Sequence, residues 1–458
     1  MRYRCWPRIF VSLIAISVVS AISAADVDRR YWVWQRDDPL DDEEIAELAA
    51  QKVQTIYWQV GELENVGATW HWKARFDFPG SERNGIHLIP AVRLVSHERE
   101  PFSDASVADL LTRLTPIARN ADELQLDYDA PDRLLPDYSA TLKKIHQIAR
   151  KLTITALPHW SQSDCLKVLG PSVEEFLPML YDFEAEPVLK NGSPLPLIEP
   201  ETISKLINGW RSCGKTWRAG LPVFSRLSVY DSNQKLRGQI RNWNWDELCF
   251  NRSFVESAGN LGTTNLRAGR STSIANTPIR QGEQVIVREA DRAALRDAVA
   301  AAERAGAQSV IFFRLPDSSA SSGWSLRQLG HLAAKPELIL KKSPDSETLE
   351  LSNSGEGDLA PRFAKDAGDT GGYTLEVEAA SRIFREAQPG DFSTMSAHVG
   401  QSPTTIPFAT RIQFKFAELR ALKKIRTGLI QLAPGADFRQ ARYRILEIEG
   451  GPSWKSLE

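Results

Sequence analysis

The amino-acid sequence predicts an α/β protein in which a (β/α)8 TIM-type barrel precedes a smaller C-terminal β-sandwich domain. Up to about residue 333, apolar runs rich in aromatic and β-branched residues alternate with amphipathic helical stretches, the pattern of a parallel sheet with crossover helices. Eight such units fit a barrel of roughly 300 residues. From residue 334 onward, period-two strands separated by Gly, Pro and Asp turns predict a sandwich of immunoglobulin type.

The N-terminal segment has the features of a secretory signal peptide. Three arginines precede an apolar run over 9–22, and small residues occupy 23–25. A core of roughly 13 residues is shorter than the ~20 that span a bilayer. We therefore predict a signal peptide over 1–25 and export to the periplasm or the extracellular space, with an uncleaved anchor as the alternative.

The remaining chain has the composition of a soluble protein of two domains, a barrel over 26–333 and a sandwich over 334–458. It is 42% apolar and 25% charged, and its formal net charge at pH 7 is −2. A mildly acidic protein without a basic stripe is not expected to bind nucleic acid. No later segment has the length and hydropathy of a membrane span.

The first three barrel strands are predicted from aromatic and β-branched runs at 31–35, 55–60 and 86–94. Acidic residues at the start of 41–52 cap a helix and complement its dipole. The Trp-His-Trp segment at 70–72 is predicted as a hairpin or loop over the barrel mouth.

The next three units follow the same alternation. A crossover helix over 105–120 leads to the fourth strand, which lies within 123–131. An apolar face predicts a helix over 138–151, which leads to the fifth strand at 152–157 with its alternating threonines. The sixth strand is carried by 174–183.

The last two units are separated by a long insertion. A helix over 201–211 precedes the seventh strand at 216–224. The pattern is then lost over about 225–284, which predicts an insertion on the active side of the barrel. A helix over 291–305 ends at a glycine and leads to the eighth strand at 309–315. The strands predicted for the sandwich are Thr348–Ser352, Tyr373–Glu378, Arg411–Phe416, Leu429–Ala433 and Tyr443–Glu449.

The fourth strand carries the strongest candidate for chemistry. Residues two apart on a strand point to one side, so Gln125, Asp127 and Asp129 share a face. Acids at the carboxyl end of a barrel strand lie where barrel enzymes hold catalytic groups. When two acids lie this close, the pKa of one of them rises, as a general acid requires. The alternative is a structural role, in which the two aspartates bind backbone amides or cap the next helix. Their spacing fits both retaining and inverting hydrolysis.

Sugar recognition needs flat apolar platforms, and the chain has 13 tryptophans. We expect about two of those near strand ends or in the insertion to line a groove and the others to pack in the core. Side chains that follow strands are predicted to contact substrate, with surface salt bridges as the alternative. The tryptophans considered are Trp32, Trp34, Trp58, Trp160, Trp243 and Trp245, and the other predicted substrate contacts are Gln59, Arg93, His159 and Arg314.

No metal or cofactor site is predicted. The histidines and the cysteines do not have metal-ligand spacing. After signal removal, Cys165, Cys213 and Cys249 form an odd set that allows at most one disulfide. Neither a phosphate-binding loop nor a dinucleotide fingerprint occurs.

Two motifs resemble the chitinase-type glycoside hydrolases of family 18. One is Leu-Gln-Leu-Asp-Tyr-Asp at 124–129, and the other is Pro-Met-Leu-Tyr-Asp-Phe at 178–183. Residues from about 28 to 330 also resemble a bacterial barrel family catalogued as domain of unknown function 3142. The chitinase resemblance implies that Asp129 protonates the leaving oxygen, that Asp127 orients an acetamido group, and that Tyr181 helps to hold it.

The same resemblance places Gln125, Met179 and Asp182 beside the substrate. Two residues depart from the family pattern: Asp129 stands where the family has Glu, and Gln125 stands where it has Asp. We therefore predict an exported glycoside-hydrolase-like protein that acts on a β-linked polysaccharide or oligosaccharide, N-acetylated polymers included, by general acid catalysis. A non-catalytic glycan-binding or envelope-assembly protein is the main alternative, and a structural partner module is the third.

Overall fold

The computed structural model describes residues 28–162, 164–181, 188–189, 194–317, 323–344, 347–365, 369–448, 451 and 453–457. The predicted signal peptide lies outside the described residues. Asp182, one of the predicted substrate contacts, also lies outside them.

Eight parallel strands form a closed barrel, and the predicted fold class is confirmed. The seventh strand has two segments separated at Arg218; the first pairs with the sixth strand and the second with the eighth. The eighth strand pairs with the first, which completes the ring. We number these barrel strands 1 to 8 in chain order: Asp28–Val33, Thr55–Val66, Ile86–Ser96, Leu124–Asp127, Leu152–Ala156, Glu175–Pro178, Thr216–Trp217 with Ala219–Pro222, and Ser309–Phe313.

Helices surround the barrel except between strands 2 and 3. There, strand 2 continues into an antiparallel hairpin with Thr69–Arg75, and a short strand, Glu82–Arg83, precedes strand 3. The hairpin predicted around 70–72 is thus present. The predicted helix over 138–151 begins earlier, because Pro136 is tolerated in a first helical turn. The barrel helices are Asp42–Ala50, Asp104–Arg119, Leu135–Ile145, Cys165–Leu169, Pro200–Arg211, Arg292–Arg304 and Leu326–Gly330.

The insertion after strand 7 is a folded antiparallel subdomain with its own core, which the loss of pattern in the sequence did not reveal. Three of its strands, Leu236–Ile240, Thr272–Ile274 and Thr277–Ile279, have only their last residue buried, so their apolar signal is weak. Trp243 and Trp245 pack edge to face in its core beside the helix Trp245–Cys249. Its five-stranded sheet has the order Leu236–Ile240, Arg226–Tyr230, Gln284–Arg288, Thr263–Ala268 and Phe254–Asn260, and a hairpin pairs Thr272–Ile274 with Thr277–Ile279.

The C-terminal region contains separate antiparallel sheets around a second apolar core. The five strands predicted there are present, and each begins within two residues of its predicted start. The shorter strands of this region were not predicted from the sequence. The largest sheet has the order Ser402–Thr404, Thr394–Val399, Arg411–Phe416, Tyr373–Ala379, Ala441–Leu446 and Lys455–Ser456. A three-stranded sheet contains Leu338–Lys342, Leu349–Asn353 and Lys424–Arg426, and Phe384–Ala387 pairs with Ile430–Leu432.

Two layers of apolar residues hold the barrel. Side chains on the outer face of the strands pack against the helices, whereas Trp32, Tyr57, Ile89, Leu177 and Ile311 fill the middle of the barrel interior. This filling closes the interior below the carboxyl ends of the strands, so any cleft at that end is blind. In the described ranges we find no helix whose length and hydropathy would let it cross a membrane.

Candidate functional site

A cavity of about 160 Å³ lies at the carboxyl ends of the barrel strands. Residues from seven different strands or their following loops converge on it, as expected for the catalytic end of this fold. The predicted catalytic residues are among them. The cavity is lined by Trp32, Trp34, Arg93, Asp127, Asp129, Thr155, Met179, Tyr181, Phe224, Arg226 and Phe313.

Asp127 is the last residue of strand 4 and is only 8% exposed. The Thr155 hydroxyl, on the neighbouring strand 5, donates a hydrogen bond to Asp127 Oδ1 at 2.7 Å. Burial, reinforced by the negative charge of Asp129, raises the pKa of Asp127 to about 6, although the Thr155 hydrogen bond and the Arg93 charge oppose the shift. This carboxyl group therefore exchanges its proton close to neutral pH.

Asp129 lies just beyond the end of strand 4, and its side chain is 54% exposed. Partial burial raises the pKa of Asp129 above its ordinary value, and the positive charge of Arg93 lowers it. The Arg93 guanidinium is 3.8 Å from Asp127 Oδ2 and 3.9 Å from Asp129 Oδ2. The two acids thus share one cation, and neither accepts a hydrogen bond from a backbone N–H within the described ranges.

Gln125 lies one pleat below Asp127 on the same face and is fully buried. The Trp32 indole donates to Gln125 Oε1 at 3.0 Å. Because an indole N–H can only donate, this bond fixes the orientation of the amide. Gln125 Nε2 then has no hydrogen-bond partner among the described residues, so a buried donor remains unused beneath the acids.

Aromatic rings form much of the remaining wall. Tyr181 stacks on Phe313 at a centroid distance of 5.6 Å and an interplanar angle of 18°, and Phe224 meets the edge of both rings. Trp34 packs edge to face on Phe313 at 5.8 Å. The site therefore combines two acids with a nearly continuous aromatic surface.

Several predicted substrate contacts are not brought to the cavity. Trp160 is fully buried in the core between strands and helices, so it is not a stacking platform. Gln59 is 1% exposed because its Oε1 accepts the Gln35 backbone N–H at 2.9 Å. Both predictions are corrected: their positions after a strand did not indicate how helices and loops would cover them.

Two charged residues also lie outside the cavity lining. His159 Nε2 is 3.0 Å from Asp132 Oδ1 in an exposed pair, and Arg314 Nη2 is 3.1 Å from Asp317 Oδ2. Both residues therefore form salt bridges, which was the alternative to a substrate contact. Among the tryptophans, Trp32 and Trp34 line the cavity, whereas the other four considered are buried in the core: Trp58, Trp160, Trp243 and Trp245.

The sequence reasoning missed four lining residues: Thr155, Phe224, Arg226 and Phe313. Each lies near the carboxyl end of strand 5, 7 or 8. Ile311 faces the barrel interior on strand 8, so alternation along that strand is a signal that would have found Phe313.

No metal site accompanies the acids: in the described part of the chain, no three His, Cys, Asp or Glu side chains are grouped to hold an ion. The described cysteines, Cys165, Cys213 and Cys249, form no disulfide with one another. A larger crevice of about 770 Å³ lies between the barrel and the C-terminal sheets, but two of its acids have structural roles. Asp291 caps a helix, and Asp358 accepts from Ser325 and the Ala421 backbone.

Asp127 should show its raised pKa as a pH dependence of stability. Between its ordinary value of 3.8 and about 6, the folded protein retains a proton that the unfolded chain has released, so the free energy of unfolding falls as pH rises through this window. Asp127→Asn keeps the acceptor for Thr155 and removes the titration. We expect the variant to be more stable than wild type above pH 6 by up to about 3 kcal/mol, and equal to it near pH 4. Urea unfolding across this range measures the difference; a constant difference would contradict the expectation.

Comparison with known proteins found neither a matching family model nor a matching curated protein. Among solved structures, the chain is similar to the C-terminal domain of a putative chitinase from Desulfitobacterium hafniense, with 13% identity, 67% of this chain and 98% of that chain covered, and a TM-score of 0.46. It is also similar to the spore cortex-lytic enzyme SleL of Bacillus megaterium, with 11% identity, coverage of 65% and 72%, and a TM-score of 0.47. A family 18 N-acetylglucosaminidase from Paenibacillus barengoltzii has 13% identity, coverage of 67% and 99%, and a TM-score of 0.42. These neighbours are chitinase-like and glycoside-hydrolase folds, and the narrower resemblance to the domain of unknown function 3142 is not confirmed.

Proposed function

We propose that the protein is an exported glycoside hydrolase that cleaves a β-linked, N-acetylated glycan in the aromatic-walled cavity, with Asp129 as the general acid. One observation carries the proposal: Asp127 and Asp129 converge on this cavity at the catalytic end of the barrel. Burial raises the pKa of both carboxyl groups, which favours the protonated form that a general acid needs.

The cavity suits a single sugar ring. Its volume of about 160 Å³ is below the ~300–1,000 Å³ of pockets that enclose drug-sized ligands. The rings of Trp34, Tyr181 and Phe313 offer flat apolar faces to the C–H surface of a pyranose, while the two acids offer polar edges. A polysaccharide would therefore place one residue in the cavity and continue along the rim.

In the proposed reaction, Asp129 donates its proton to the glycosidic oxygen as the bond from that oxygen to C1 breaks. The acetamido oxygen of the sugar attacks C1, the substrate-assisted route that needs no second protein nucleophile. Asp127, held by Thr155, orients the acetamido N–H, and the Tyr181 hydroxyl donates to its carbonyl oxygen. Water then attacks C1, and Asp129 recovers its proton from that water.

A non-catalytic glycan-binding protein is the second candidate. Asp129 is one methylene shorter than the Glu of the family pattern, and Arg93 lies 3.9 Å from it and favours its ionised form. On this alternative the aromatic wall binds sugar and no bond is broken. Binding that persists without turnover would favour it.

The test is turnover of chitin-like, peptidoglycan-like and exopolysaccharide substrates by the exported protein, followed as new reducing ends. N-terminal sequencing of that protein also tests cleavage after Ala25. Turnover of none of these polymers, with glycan binding retained, would replace hydrolysis by the second candidate. Absence of both turnover and binding would remove the proposal.

Trp34 tests the sugar platform separately from the acid. We expect Trp34→Ala to weaken binding of the glycan substrate about tenfold, since loss of an aromatic contact of ~1.4 kcal/mol corresponds to that factor. Trp454, which packs against Arg442 and Arg444 in the C-terminal sheets, provides the matched control. Calorimetric titration of both variants measures the effect; equal affinities would exclude Trp34 from the binding surface.

A further inference from the structure

A β-bulge in strand 2 brings an additional acid to the site. Pairing with strand 3 shifts between Gln59 and Gly61, so Val60 is the extra residue and Glu62 lies opposite Arg93. Without the bulge, alternation from Gln59 would place Glu62 on the outer face of the barrel. The shift turns it inward, and its Oε2 lies 4.0 Å from Arg93 Nη1.

Gly61 makes this bulge compatible with the hairpin that covers it. A Cβ at this position would lie 2.6 Å from the Ala74 carbonyl oxygen and 2.6 Å from the Trp72 ring. Only a residue without a side chain permits the two strands of the hairpin to approach so closely. The local sequence Val60-Gly61-Glu62 therefore places the carboxylate.

Arg93 lies between acids on both sides. Register pairs Glu62 with Arg93 and Arg93 with Asp127 across three adjacent strands. The guanidinium is 3.8 to 4.0 Å from oxygens of Glu62, Asp127 and Asp129, and its side chain is 37% exposed. These distances are ion-pair contacts longer than hydrogen bonds, and they are nearly equal, so the cation attracts all three carboxylates.

We propose that Arg93 is a positioning residue that holds Asp127 and Asp129 as one oriented acidic pair, and that Glu62 in turn fixes Arg93. This inference rests on the proposed function for its catalytic meaning, but the arrangement of charges does not depend on turnover. It differs from the role predicted from the sequence, in which Arg93 contacts the substrate directly.

The charged and titratable groups facing the pair come from several elements. Lys73 on the hairpin lies 3.1 Å from Glu62 Oε1 and 3.7 Å from Glu64 Oε1 and balances those acids. Arg226 and Tyr181 line the opposite parts of the cavity, after strands 7 and 6. Lys73 therefore pairs with Glu62 from outside the cavity, whereas Arg93 contacts both aspartates.

Two substitutions should move the aspartate titrations in opposite directions. Arg93→Met removes a positive charge within 4 Å, so the pKa values of Asp127 and Asp129 should rise by roughly 1 unit or more. Glu62→Gln removes a negative charge that raises the pKa of Asp127, so that pKa should fall. Arg93→Lys keeps the charge and should bring the titration most of the way back to wild type.

Carboxyl ¹³C NMR of the full chain labelled at aspartate measures both titrations, with Asp127→Asn and Asp129→Asn assigning the signals. Arg150→Met is the matched control, because Arg150 pairs with Asp122 in an exposed contact away from the cavity. It should leave both titrations unchanged. Thermal unfolding of each variant verifies that the fold is retained.

With a glycan that the protein cleaves, Arg93→Met should move the alkaline limb of the rate-against-pH profile upward by the same amount as the aspartate pKa values. A purely structural role of Arg93 would not move this limb. Superimposable aspartate titrations in folded Arg93→Met and wild type would overturn the inference while leaving the proposed hydrolysis intact. Shifted titrations in a protein that neither binds nor cleaves any glycan would support the positioning role and remove the proposed function.

Discussion

Asp129→Asn should lower kcat/KM on the cleaved glycan by about 10²- to 10⁴-fold, the contribution typical of a positioned general acid. Asparagine has nearly the same shape and offers no proton to the leaving oxygen. The side chain of Asp129 is half exposed and holds no buried hydrogen bond in the described structure, so the fold should tolerate the change. We expect glycan affinity to remain close to that of wild type, so the loss should appear in kcat.

Asp132→Asn is the matched control for this loss. Asp132 lies three residues further along, is exposed, and contacts His159 outside the cavity lining. Initial rates of both variants across pH 4–8 separate the two roles. Undiminished turnover by Asp129→Asn would remove Asp129 from the mechanism, and an equal loss in both variants would indicate a general disturbance of the loop after strand 4.

Glu175→Ala should destabilise the barrel by about 3–5 kcal/mol, because it leaves the buried Arg218 guanidinium without its nearest acid. Glu175 is 2% exposed at the amino end of strand 6, opposite the candidate site. Its oxygens lie 3.0 Å from Arg218 Nη2 and 3.1 Å from Lys151 Nζ. Lys151 also contacts Glu123 at 2.8 Å, so the substitution would disturb a network that closes the lower end of the barrel.

Equilibrium unfolding in urea measures this destabilisation. Asp122→Ala is the control, since its ion pair with Arg150 is exposed and should contribute within about 1 kcal/mol. Glu175→Gln, which keeps an acceptor but not the charge, should fall between the two. A Glu175→Ala variant no less stable than the Asp122→Ala control would show that the buried network contributes nothing to barrel stability.

The local alternation of strand 4 was sufficient to predict which of its residues face inward. Gln125 contacts Trp32 inside the barrel and Asp127 lines the cavity, while Leu124 and Leu126 pack toward the helices. Side-chain direction on a strand has a period of two and is a property of the chain itself. The loss of pattern located the insertion after strand 7 but did not predict its sheet, because strands such as Leu236–Ile240 bury only one apolar residue.

The partners of the acids required the tertiary structure. Thr155 and Arg93 reach Asp127 from strands 5 and 3. Glu62 reaches Arg93 from strand 2, and it does so only because a bulge at Val60 shifts the register by one residue. Pairing register between distant segments is a non-local quantity that alternation within one strand does not specify.

The exposure of the tryptophans also required the tertiary structure. Trp34 and Trp160 both follow barrel strands in the sequence, yet only Trp34 lines the cavity. Hydrophobic periodicity along the chain predicts the barrel strands, the later strands and the inward direction of the acidic pair, because each of these is a local property. The exposure of each aromatic ring and the cation that the acids share are known only from the folded structure, because burial and charge proximity depend on how separate segments pack.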